Sequence, residues 1–482
     1  MKQKTSQILL FVALTFLVIS VVQAQDTEAN AQKSDIKQSE TTLQDQKDVA
    51  VTIYNNDRAL VREKRKIKLP KGESYLKFMD VPERIIPETV SLKSLIQAGS
   101  LQILEQNYEY DLISPSKLME KYVGKEVKLV NKNKDMDFYE VTAKLLSVNE
   151  SPVFQVENQI YLGHPGNVVL PELPSELIAK PTLIWMLDNT LEEQELEATY
   201  LTSGISWKAD YVLVYDEPKN SMDLEGWITL NNSSGATYQN AKLKLVAGEV
   251  NIVPVQAPAP MMDRMMVGAA KSMEVREESF AEYHLYTVPR RTTIKQNQSK
   301  QVSLLSANGV KANKIYEYRG NTAFYNNKIE PIRNENIDAF LIFKNAEDNQ
   351  LGFPLPEGII RVYQEDSEGM LQFAGEDRIK HTPKDEEIRL RLGKTFDIIG
   401  ERTQIDFQKL GPNVVECEFE IVIRNHKKND IVVDIVEPMM GDWQIIKSSM
   451  DYEKKDAFSV IFHLPVKAEG SGKMSYRVRI RF

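Results

Sequence analysis

Cysteine is almost missing. Cys417 stands alone among 482 residues, so no intramolecular disulfide framework can staple the fold, and stability has to come from buried cores. Histidine is scarce: His164, His284, His381, His426 and His463 lie far apart, with no metal-ligand spacing. A basic excess is lacking as well. Sixty Lys and Arg stand against 69 Asp and Glu, for a net charge of −9, so the chain offers no overall charge for a phosphate backbone and nucleic acid is excluded as a partner. Catalytic signatures are missing: there is no Gly-x-Ser-x-Gly elbow, His-Glu-x-x-His, Cys-x-x-Cys or phosphate-binding glycine loop. No period of about 20 to 50 residues recurs, which excludes a solenoid or propeller.

One long apolar run is present, at the start. Lys2 and Lys4 precede Ile8 to Val22, and Val22-Gln23-Ala24 places small residues where signal peptidase needs them. The run is shorter than the ~20 residues of a spanning helix. Residues 1–24 therefore predict a cleaved secretory signal, with the protein exported to a periplasm or secreted. Without a cysteine near the site, no lipid anchor is expected, and no later stretch predicts a transmembrane helix. Residues 25–48, polar and free of aromatics, predict a disordered spacer.

Period-2 alternation dominates the rest and predicts a mainly β, multi-domain chain of β-sandwiches with few helices. Residues 49–110 read as an N-terminal β segment; Asn55-Asn56-Asp57 supplies hairpin chemistry between two strands. Residues 111–178 read as a small SH3-like or Sm-like barrel insert. It opens on a helix started by Ser114-Pro115 and stopped by Gly124. Residues 179–335 read as a central β domain carrying a mobile loop at 252–275, after which Lys271 to Ala281 predicts a helix. Residues 336–482 read as an immunoglobulin- or fibronectin-like sandwich at regular strand spacing. In Val415-Glu-Cys-Glu-Phe419 the thiol shares a face with Val415 and Phe419, which marks it as structural. The last strand alternates Tyr476, Val478, Ile480 and Phe482 with Arg477, Arg479 and Arg481. That pattern fits an outer-membrane barrel strand, or a sandwich strand with its arginines in water, and the irregular turns elsewhere favour the sandwich.

Three stretches resemble one family: Val51-Thr-Ile-Tyr-Asn-Asn-Asp-Arg-Ala-Leu-Val-Arg62, Gly204-Ile-Ser-Trp-Lys-Ala-Asp-Tyr211, and Gly226-Trp-Ile-Thr-Leu-Asn-Asn-Ser-Ser-Gly-Ala-Thr-Tyr238 continuing to Leu243. Tyr283 to Pro289, Ile423 to Lys427 and Gly441-Asp-Trp443 extend the likeness. The family is an uncharacterised bacterial domain-of-unknown-function family related to the mucoidy inhibitor A proteins. It implies a role connected with exopolysaccharide or the cell envelope, and it implies no catalytic residue. Long coiled-coil heptads are lacking here; the barrel-like insert takes that place.

Candidate chemistry is sparse, and no catalytic residue, cofactor or firm metal ligand is predicted. Asn131 to Asp137 alternates oxygen ligands, but Met136 and Thr142 stand where a calcium loop needs Gly and Glu, so a hairpin loop is expected. Met261, Met262, Met265 and Met266 could ligate copper(I), or could form an adaptable apolar loop. Trp207, Tyr211, Trp227 and Tyr238 are either core packing or an exposed surface for stacking on sugars. The expected function is a non-enzymatic cell-envelope scaffold or binding module for a protein or polysaccharide partner. The alternatives are a polysaccharide-acting hydrolase with carboxylates at a domain interface, and copper(I) binding by the methionine loop.

Overall fold

A computed structural model describes residues 36–132, 138–163, 166–174, 177–248, 276–280 and 283–482. The signal at 1–24, the methionine quartet and most of the Asn131 to Asp137 loop lie outside the described residues. The fold is mainly β, as expected.

The chain opens with β1 (Lys37–Thr41), β2 (Gln46–Tyr54), β3 (Arg58–Lys68), β4 (Gly72–Met79), β5 (Ser91–Ser94) and β6 (Leu101–Glu109). The insert holds α1 (Pro115–Lys121), β7 (Glu126–Lys132), β8 (Phe138–Ser147), β9 (Val153–Val156), β10 (Gln159–Leu162) and β11 (Asn167–Val169). Next come β12 (Thr182–Asn189), β13 (Glu193–Ser203), β14 (Ile205–Asp216), β15 (Ser221–Asn232), β16 (Tyr238–Ala247), β17 (Arg276–Phe280), β18 (Tyr283–Thr287) and β19 (Thr292–Ile294). The remainder is β20 (Gln298–Arg319), β21 (Ile332–Lys344), β22 (Gly358–Glu365), β23 (Leu371–Ile379), β24 (Glu387–Gly411), β25 (Val414–Asn425), β26 (Ile431–Pro438), β27 (Asp442–Ser448), β28 (Glu453–Asp456), β29 (Ser459–Val466) and β30 (Gly470–Arg481).

These strands form four sheets. One is β1-β4-β12-β6, and a second runs β17-β18-β16-β2-β3-β13-β5 with β19 beside β16. The largest runs β23-β22-β14-β15-β20-β21-β24-β25-β30-β27, with β26, β28 and β29 branching from β20. The first two sheets and the first half of the largest enclose one core, built on residues such as Val51, Phe78, Trp185, Tyr211 and Leu224. The C-terminal sandwich encloses a second, in which β25 and β30 face β26 and β29. Phe419 and Phe462 both stack on Tyr476, with centroids 5.5 and 5.4 Å away, so the strands meet through aromatic faces.

The two cores share strands. β20 gives Val310 and Ala312 to the first core and Tyr316 and Tyr318 to the second; β21 and β24 do the same. The expected division at 335/336 therefore falls inside β21, and no linker separates the two sandwiches. The alternation that marks the strands carries no sign of which core each residue faces.

Three other expectations are corrected. The spacer at 25–48 ends early: β1 pairs parallel with β4, and buried Arg65 donates to the Thr41 carbonyl at 3.1 Å. That bond joins the buried Glu63 carboxylate, 3.3 Å away, in partnering a guanidinium which could not be buried alone. The helix expected over Lys271 to Ala281 is replaced at Arg276–Phe280 by β17, which pairs with β18. The insert is an open antiparallel sheet ordered β10-β9-β8-β7-β11, with no ladder from β10 to β11, so the expected barrel is not closed. Its helix starts and stops as its chemistry dictates: the Ser114 hydroxyl accepts from the Lys117 N–H at 3.2 Å, and Gly124 adopts φ +84°.

The last strand is a sandwich strand. Tyr476, Val478 and Ile480 are buried in the second core. Its arginines are ion-paired rather than merely solvated: Arg477 reaches Asp406, Glu416 and Glu418 at 2.9, 2.9 and 2.6 Å. Among the described residues no helix is long and apolar enough to cross a membrane.

Candidate functional site

The aromatic set singled out by sequence divides. Trp207, Tyr211 and Tyr238 are buried in the first core, so they form no binding surface. Each satisfies its polar end internally: the Trp207 indole donates to the Val246 carbonyl at 3.2 Å, and the Tyr211 hydroxyl to that of Pro356 at 2.8 Å. The Tyr238 hydroxyl meets that of Ser234 at 3.1 Å. Trp227 is half-buried on the other face of β15. Cys417 is buried too, and desolvation pushes its thiol up to about 12, which removes it as a nucleophile. Among the described residues the histidines are not brought together. His463 meets Asp434 at 2.7 Å on an exposed face, and among the described residues no His, Cys, Asp or Glu cluster could hold a metal.

The site with functional geometry lies where the shared strands pass from one core to the other. Asp338 registers with Lys394 and Asn336 with Ile399, so Thr395 to Ile398 of β24 face the single residue Ile337 of β21. Gly393 enters this bulge at φ +125°, a conformation that side chains disfavour. Three bonds then hold it: Asn336 Nδ2 to the Thr395 carbonyl at 2.6 Å, Thr395 Oγ1 to the Ile398 carbonyl at 3.0 Å, and the His426 N–H to the Asp397 carbonyl at 2.8 Å. Ile398 returns to the second core, fully buried, while Phe396 points outward and is 89% exposed. Leaving such a side chain in water forfeits about 1.5–3 kcal/mol that burial would supply, and a tethered backbone keeps it there.

Beside Phe396 opens a hollow of 230 Å³ lined by Lys314, Tyr316, Gln364, Lys394 and Lys427. Its charges are organised through Glu217, which lies 3.0 Å from Lys314 and 3.5 Å from Lys427 and accepts from Gln364 Nε2 at 3.2 Å. Burial pushes the Glu217 carboxyl up, but Lys314, Gln364 and Lys427 outweigh it and hold it below the usual carboxylate range. Lys427 also donates to the Tyr316 hydroxyl at 2.8 Å. Burial lowers its ammonium, and Tyr316 and Glu217 more than offset this, so it stays charged.

A second hollow, of 620 Å³, adjoins the first, since Gln364 lines both. Its wall is acidic, with Asp216, Glu217, Asp223, Glu365 and Asp366. This is where the sequence-level idea of carboxylates gathered between domains would apply. A glycosidase needs one carboxyl held protonated. Asp216, held down by Lys219, and Asp366, held down by the Met370 N–H and Gln372, move the other way, as Glu217 does.

Sequence reasoning missed the Phe396 bulge. Phe396 keeps the two-residue phase of Ile388, Leu390, Leu392 and Ile398, so alternation assigns it to the core, and Gly393-Lys394 is the one lapse in that pattern. No family model matches the chain, and no curated protein matches it.

Proposed function

We propose that this chain is an exported, non-enzymatic cell-envelope protein, a β-sandwich scaffold whose ligand-binding site is the junction beside Phe396. One observation carries the reading: an almost fully exposed aromatic ring, held on a tethered bulge beside a cation-lined hollow. Rigid aromatic anchors next to concavities are what binding surfaces use. The signal-like residues 1–24 and the resemblance to the mucoidy inhibitor A-related family support the envelope as its setting. The lowered carboxyls of the acidic hollow favour binding over hydrolysis.

A photo-crosslinking side chain placed at position 396 tests the proposal in envelope preparations. It is expected to yield a discrete adduct with an envelope protein or glycan, whereas the same group at Phe458, exposed elsewhere, yields none. Absence of any adduct at 396 would sink the site. Turnover of an envelope polysaccharide by the purified chain, lost in Glu217→Gln, would replace it with the hydrolase reading.

A further inference from the structure

The large sheet curls until its β23 end meets the first part of β24 without joining it. β23 pairs only with β22. The first part of β24, Glu387 to Lys394, pairs only with β21, and its ladder to β25 begins at Ile398. The two unpaired edges face one another. Gly375 comes so close to Leu392 that a Cβ would lie 2.6 Å from its carbonyl oxygen, and the Arg391 N–H donates to Asp377 Oδ2 at 2.8 Å. No backbone ladder closes this seam, and beyond the pinch the hollow beside Phe396 occupies the gap between Ala374 and the Leu392-to-Asp397 stretch.

On the β23 side the gap is lined by Ala374, the last residue of the stretch Met370-Leu-Gln-Phe-Ala374, in which Met370, Leu371 and Phe373 are each more than half exposed. That stretch carries no charge and no proline, the devices by which proteins keep a free strand edge from pairing. The hollow is lined by the ammoniums of Lys314, Lys394 and Lys427 and the carboxylate of Asp397, and Glu217 pairs with Lys314 and Lys427 from the adjoining hollow.

We propose that this seam takes an extended peptide strand, which adds to the free edge of β23. The strand rests an apolar side chain on Phe396 and Leu392 and sets a carboxylate over Lys394 and Lys427. The inference depends on the junction being the ligand site and narrows its ligand to a polypeptide. The free edge of β23 offers N–H and C=O groups with which an added strand can pair. A glycan has no use for that register.

The test uses hexapeptides selected from a random display library against the chain from Gln25 onward, with binding read by fluorescence anisotropy. Backbone N-methyl groups are then walked along the best peptide. Strand addition predicts losses of about tenfold or more at alternate positions and little change between them. Phe396→Ala, a surface change that leaves the cores intact, is expected to weaken binding at least about tenfold. Lys394→Gln is expected to weaken peptides with a free terminal carboxylate and spare their amides. A methylation scan without the two-residue period overturns strand addition. Should no peptide bind while an oligosaccharide binds in a Phe396-dependent way, the ligand class is wrong and the site stands. Should neither depend on Phe396, the site itself falls.

Discussion

Arg402 and Glu437 sit in the middle of the second core, 1% and 0% exposed, with 2.6 Å between guanidinium and carboxylate. The Tyr325 hydroxyl donates to Glu437 at 3.2 Å and meets that of Tyr476 at 3.0 Å, so the ion pair is embedded in a chain of phenols. Burial pushes the Arg402 guanidinium down, and Glu437 outweighs that and holds it above its ordinary value. Removing one partner strands a charge, so Glu437→Ala is expected to cost about 3–5 kcal/mol in urea unfolding. The double change Arg402→Met with Glu437→Leu is expected to recover most of the loss. Cys417 offers a second check: its raised thiol predicts no reaction with a neutral-pH thiol reagent until the chain unfolds, and labelling of the folded protein would contradict it. Glu217 gives a pH dependence. Its folded pKa is lowered, so its contribution is present above the unfolded carboxyl value and fades as pH falls through the folded one. The difference in melting temperature between wild type and Glu217→Gln is therefore expected to be largest near neutral pH and to shrink as pH falls below the ordinary carboxylate range.

At the scale of elements, the bulge of β24 owes its shape to one backbone position. A Cβ on Gly393 would touch nothing, so Gly393→Ala tests conformational strain alone and is expected to cost about 1–3 kcal/mol, read by thermal unfolding. Legibility differs from strand to strand for physical reasons. β25 was readable because Val415, Cys417 and Phe419 alternate with glutamates, and those glutamates answer Arg477 and Arg479 on β30. β1 was not: Lys-Gln-Ser-Glu-Thr has no apolar face, and only the distant β4 edge and buried Arg65 make it a strand. The Arg276–Phe280 stretch looks helical by composition, and its partner β18 overrides that preference. The aromatics of the family-like stretch were visible as residues, but which side of a strand meets the core depends on sheets formed far away in sequence. The site was legible only as Gly393-Lys394 within an otherwise unbroken alternation, in which Phe396 holds an apolar position.

For the whole molecule, the shared strands set how it comes apart. Because β20, β21 and β24 each serve both cores, neither sandwich can lose its packing without exposing the other. Calorimetry is expected to show both cores melting in one transition. The insert has its own small core around Leu129, Leu145 and Phe154, and joins the rest at the Leu112–Ile178 bridge. Replacing residues 113–177 by a short glycine-serine link is therefore expected to leave that main transition within a few degrees of its place; a collapse would show the insert to be integral.

The ladders also fix an order of events in time. β2 lies parallel to β16, with Ala50 against Lys242; β14 lies parallel to β22, with Ala209 against Gly358; and β20 lies parallel to β26, with Tyr316 against Val433. None of these pairs can form until a long stretch of chain beyond the first strand exists and has been brought back. Closing such distant loops before any contact rewards them slows folding to milliseconds or seconds. Half a chain has half its partners, and a polypeptide of this design lingers in the open state, the one form in which it can still be threaded through a narrow pore.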